Sequence, residues 1–173
     1  MKLPGAWIIA YLSPLLAIVL GIVHAALAPV IVVGEVKPNL VLVAVVLVTA
    51  LGGFLPGITW AFVAGLTVNL LVGEPLGSVP LALLLVAALT AGGSRLIGRV
   101  VWVYPVLAAF AGSGVADLAT LGIASMLTDA AVSGLPSDVI VAAALLNAAV
   151  CAAVLLPARA IAARYAVDDA TAW

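Results

Sequence analysis

The sequence predicts an all-α integral membrane protein, a single domain over residues 1–173 folded as a six-transmembrane-helix bundle. Three observations predict it. First, 67% of the 173 residues are hydrophobic and 8% are charged, against about 45–50% and 25% in soluble domains, and the mean hydropathy is +1.43. Second, glycine- and proline-rich breaks divide the chain into apolar runs near the length, about 20 residues, that crosses a hydrocarbon core. Third, the cations sort: with six spans, Lys2, Arg95, Arg99, Arg159 and Arg164 share one side and only Lys37 lies on the other. A soluble chain of this size cannot enclose so much apolar surface, whereas a bilayer accepts it. The segments do not alternate as the strands of a membrane barrel do.

The first span is expected at 6–28. Lys2 ahead of it and ALA at 26–28 imitate a secretory signal. The run exceeds the about 7–15 residues of a signal core, however, and Pro29 would follow the cut, so it is expected to remain as a span. The second span, 38–54, opens after the Pro29–Pro38 segment and closes at GGFLPG, residues 52–57. The third, 57–73, stops at GEPLGS (73–78), where proline cannot continue a helix. The fourth, 78–94, ends in GGSRLIGR (92–99), and the fifth, 101–127, ends before TDAAVSGLPSD (128–138). The sixth, 138–158, leaves residues 165–173 as a short tail. The positive-inside rule puts both termini in the cytoplasm, with Glu35, Glu74, Asp129 and Asp138 outside. Trp7, Trp102, Tyr104 and Tyr165 then fall near cytoplasmic helix ends, as interfacial anchors do.

Several function classes are excluded by chemistry. A net charge of −1 gives no electrostatic basis for nucleic-acid binding. Cys151 is the single cysteine, so neither a disulfide framework nor a paired metal ligand is expected, and no cofactor is implied. No HExxH, GxSxG or P-loop occurs. Asp117 and Asp129 point about 120° apart on one helix, so they do not form a carboxylate pair for acid–base work. No catalytic residue is assigned, and an enzyme is not expected.

Small residues recur every fourth position at Ala17, Gly21 and Ala25, and again at Gly57, Ala61, Gly65, Asn69 and Gly73. In lipid, close backbone approach at small residues supplies much of the association between helices, so each stripe is a contact face, within the bundle or toward a partner's helix. A four-residue step drifts about 40° per repeat, so the stripe winds around the helix. Polar side chains inside the spans are His24, Asn69, Asp117 and Asn147. An acid in lipid is expensive. Asp117 is therefore read as a hydrogen bond to neighbouring helices or to His24, as a partner contact, or as a ligand or proton site. Asn69 is read as an amide bridging two helices.

Over residues 37–89 the pattern resembles the rod shape-determining protein MreD family. The matching positions are Pro38 and Asn39, Gly53 and Gly57, and the run Gly65, Asn69, Leu70, Leu71, Gly73, Pro75, Leu76 and Gly77. Asn39 and Asn69 stand where that family usually has aspartate, which argues against a proton relay and for a polar structural contact. The resemblance implies a non-catalytic subunit of the bacterial cell-elongation complex. It would bind MreC, a single-span protein with a periplasmic coiled coil, and act with the MreB filament, the RodA glycosyltransferase and a class B penicillin-binding protein in peptidoglycan synthesis. It also implies a fold similar to the S subunits of energy-coupling-factor vitamin transporters. Such a substrate-binding subunit is the alternative reading, with the loop APVIVVGEVKP over an outward cavity and His24, Asn69 and Asp117 at its depth. The scarcity of aromatics, 6% of residues, argues against a vitamin site.

Overall fold

The computed structural model describes residues 5–27, 29–33, 36–96, 103–127 and 137–170, with side chains described for 12–27, 29–33, 36–95, 103–123, 125–126 and 137–157. Lys2, Arg99, Trp102, Glu35 and Asp129 lie outside the described residues, as do the side chains of Trp7, Arg159, Arg164 and Tyr165. Among the described residues six helices follow one another: α1 (Gly5–Leu27), α2 (Leu40–Gly52), α3 (Phe54–Val72), α4 (Ser78–Leu96), α5 (Tyr104–Leu127) and α6 (Ser137–Ala170). Within α3, α4, α5 and α6, the stretches Phe54–Val72, Ser78–Arg95, Tyr104–Ile123 and Ser137–Pro157 are long and apolar enough to cross a membrane. These four mark the chain as a multi-pass membrane protein.

One boundary differs from the sequence expectation, and one helix outlasts its expected span, both for physical reasons. The second helix was expected over 38–54 but is only 13 residues long. The Asn39 side chain accepts from the Leu42 amide at 2.9 Å and sets its first turn. Gly53, at φ 93°, ends it, and α3 begins one residue later. The break therefore occupies one glycine, and Pro56 is absorbed into the first turn of α3 where its missing N–H does no harm. The sixth span was expected over 138–158, and Ser137–Pro157 is the stretch of α6 long and apolar enough to cross a membrane. The helix itself continues through Pro157 to Ala170, into the stretch read as a short tail from 165. The residues beyond that proline, Ala-Arg-Ala-Ile-Ala-Ala-Arg, are mostly strong helix formers that carry the helix past one lost hydrogen bond.

The short α2 is the hub. It contacts every other helix, while α1, α3, α4, α5 and α6 follow one another around it, each touching its neighbour in that order. Between α1 and α6 no contact is made among the described residues, so the ring is open there. Val41, Leu42, Val43, Val45, Val46 and Leu47 are all buried, the all-round apolar surface of an enclosed helix. At about 1.5 Å per residue, α2 spans about 20 Å and the 19-residue α3 and α4 about 28 Å. The missing height of the hub is left as space at its N-terminal end.

Candidate functional site

That space is a cleft of about 750 Å³ lined from all six helices. The C-terminal parts of α1, α3 and α5 and the N-terminal parts of α2, α4 and α6 meet there, so consecutive helices alternate in direction. The start of α1 and the end of α6 therefore lie at the opposite end of the bundle. His24, Lys37, Asn39, Glu74, Asp117 and Thr120 bring the polar groups, and the remaining wall is almost entirely valine, leucine, isoleucine and alanine. Among the described residues no phenyl, phenol or indole ring lines it.

Asp117 and His24 share this cleft but no hydrogen bond joins them among the described residues, so of the readings open to Asp117 the contact with His24 is not made there. His24 Nδ1 is buried with no hydrogen-bond partner. Lys37 and Glu74 are exposed at the surface, whereas Asp117 is half-buried about 15 Å from the end of α5. His24, Glu74 and Asp117 do not come close enough to form a metal-binding group, and no other such group occurs among the described residues.

Asn69 is at the same end of the molecule but outside the cleft, committed to the α3–α4 turn. Its Nδ2 donates to the carbonyls of Glu74 at 3.0 Å and Pro75 at 3.2 Å, and its Oδ1 accepts from the Gly77 amide at 2.6 Å. All of this happens with the side chain 1% exposed. Gly73 (φ 75°) and Gly77 (φ 93°) take left-handed conformations on either side of Pro75, closing the hairpin. Leu70 and Leu76 of the same run face outward, and Leu71, also exposed, lines the cleft.

Asn147 makes a second polar clamp. Its Oδ1 accepts from the Asn39 backbone N–H at 2.7 Å and its Nδ2 donates to Ser113 Oγ at 2.8 Å, tying α6 to the start of α2 and to α5. Asn39 thus serves twice, its backbone held by α6 and its side chain capping α2. Pro38 is buried just ahead of it. Sequence reasoning missed Ser113, whose signal was its place in AGSG with a buried amide one helix away. It also missed the Trp60 indole N–H, which donates to Ser13 Oγ at 2.7 Å and joins α3 to α1. Tyr104, read as an interfacial anchor, donates its hydroxyl to the Thr90 carbonyl and joins α5 to α4.

The small-residue stripes lie inside the chain's own bundle. Ala17 is fully buried, and a Cβ on Gly21 would lie 2.9 Å from Thr67 Cβ and 3.1 Å from the Ala64 carbonyl of α3. Along α3, Gly57 is pressed against the Thr49 side chain of α2, Ala61 is fully buried, and Gly65 meets Pro80 and Leu83 of α4. The winding of the stripe is what shares it between two neighbours. Ala25 reaches the cleft wall, and Gly53, exposed in the α2–α3 link, has open space around its Cα. A search of protein-family models, of curated proteins and of solved structures finds no match to this chain.

Proposed function

We propose that the protein is a non-catalytic membrane subunit of the bacterial cell-elongation complex. It crosses the inner membrane six times with both termini in the cytoplasm, binds MreC, and acts with MreB, RodA and a class B penicillin-binding protein to maintain cell shape. One observation carries the reading: the residues on which the resemblance rests behave as a structural unit. Asn39 caps the hub helix, and Asn69, Gly73, Pro75 and Gly77 lock the α3–α4 hairpin, with no reactive group among them. Such a unit fixes a shape rather than performs a reaction. Because the glycine and alanine faces are occupied within the chain, the partner helix is given the branched aliphatic side of α1, where Leu12, Leu16, Val19 and Val23 are exposed and where α2 and α3 are the neighbouring helices among the described residues. The test is capture of a single-span coiled-coil protein by the purified chain, together with rounding of rod-shaped cells on its depletion. Recovery of neither would overturn the reading.

The cleft supports a second reading, the substrate-binding subunit of a vitamin transporter. A cavity of about 750 Å³ is within the range of small-molecule sites. On that reading a vitamin co-purifies, and Asp117→Ala abolishes its binding with the bundle still folded.

A further inference from the structure

The lining of the cleft selects a different ligand class. A flat heterocycle is held by stacking, and among the described residues the wall offers no aromatic carbon ring to stack on. Branched aliphatic side chains from α2, α3 and α4 instead make a surface for methylenes, with Val41, Val68 and Leu83 among them. Into this apolar setting are placed one cation and two acids. Lys37 lies at the mouth, Glu74 sits on the α3–α4 turn, and Asp117 lies deeper on α5.

Among the described residues Asp117 makes neither a hydrogen bond nor an ion pair, and the buried Nδ1 of His24 in the same cleft is also without a partner. An acid on a membrane helix without a protein partner is a costly arrangement unless something else meets it. The cleft is also bordered by two helices that leave a gap. His24 and Ala25 of α1 line one side, Ile140 and Ala143 of α6 line another, and among the described residues these two helices do not touch. Among those residues no packed helix pair therefore bars a ligand from reaching the polar groups from the side, out of the lipid.

We propose that this cleft binds the head of an aminophospholipid. Its phosphate sits against Lys37 and its ammonium against Asp117. The first methylenes of its chains lie along the valine wall, and the rest leave between α1 and α6. A volume of about 750 Å³ is too small for a whole diacyl lipid and ample for its head and glycerol, which is why the chains are assigned to the opening. The inference rests on the geometry of the cleft and does not depend on the rod-shape reading.

The test is native mass spectrometry of the full chain released from nanodiscs of equal parts phosphatidylethanolamine and phosphatidylglycerol. The expected result is one retained phosphatidylethanolamine, favoured at least about tenfold over phosphatidylglycerol. Asp117→Asn keeps the side chain's size and is expected to abolish that preference, and Lys37→Gln, on an exposed residue, to lower occupancy by either lipid. Ala143→Phe fills the cleft from α6 and is expected to empty it; circular dichroism confirms that each variant is folded. Soluble phosphoethanolamine, offering the head without chains, is expected not to displace the lipid. Equal retention of the two lipids by the unaltered chain, an unchanged preference in folded Asp117→Asn, or displacement by free phosphoethanolamine would each overturn the proposal.

Discussion

At the scale of single residues, the asparagines are explained by having two ends. Asn69 uses its carbonyl oxygen for the Gly77 amide and its amino group for two backbone carbonyls, so it needs both a donor and an acceptor. A carboxylate in its place would keep the first contact and turn a negative oxygen on the other two. Asn69→Ala should therefore lower stability by about 1–3 kcal/mol, the usual consequence of leaving buried backbone groups unpaired. Asn69→Asp at neutral pH should lose a comparable amount, although it is nearly isosteric. Thermal unfolding in detergent reads both, and full stability of the aspartate variant would show that the two donor bonds are dispensable. The sequence disclosed that Asn69 and Asn147 were polar residues in apolar helices, and so in need of partners. It did not disclose which partners, because Asn147 finds Asn39 at a separation of 108 residues. His24 and Asp117 were legible as exceptions, yet the pairing that was one of the readings for Asp117 does not occur among the described residues, since helix packing and not chain position decides which polar groups meet.

At the scale of helices, small residues determine how near two backbones come. A Cβ on Gly65 would lie 2.8 Å from the Cα of Pro80, a backbone atom that no rotamer change can move aside. Gly65→Ala should thus push α3 from α4 and destabilise the bundle by about 1–3 kcal/mol, as overpacking does. Gly92 lies in the same α4 with nothing within 4 Å of a built Cβ. There the same substitution should be neutral or stabilising by up to about 1 kcal/mol through helix propensity. Unfolding midpoints of the two variants, measured side by side, test the argument; equal effects would refute it. Helix positions were largely readable from glycine and proline, because both act locally. The early end of α2 and the length of α6 have local causes as well: a single left-handed Gly53 sufficed to part α2 from α3, and the alanine- and arginine-rich stretch after Pro157 prolonged α6 beyond its span.

At the scale of the molecule, an even number of helices and a cleft at one end make a prediction about sidedness. The helix ends that line the cleft belong to consecutive helices in alternation, so Lys37 and Glu74 share one end of the bundle. Arg95, exposed at the end of α4, and Arg164, late in α6, belong to the other. Cations beside membrane helices are retained on the cytoplasmic side. The two ends should therefore face different compartments, with the cleft on the outside. Single cysteines at Lys37, Glu74, Arg95 and Arg164, introduced with Cys151→Ala, make this measurable with a membrane-impermeant maleimide on intact cells. Cys151 is buried, with its thiol directed at the Pro105 carbonyl of α5, so its own background labelling should be slight even before replacement. Thiols at 37 and 74 should react from outside, and those at 95 and 164 only after the membrane is opened. Were positions 74 and 95 to react from the same side, α4 would not cross the bilayer, and neither a partner helix lying along α1 nor a lipid entering between α1 and α6 would have the membrane setting that each requires.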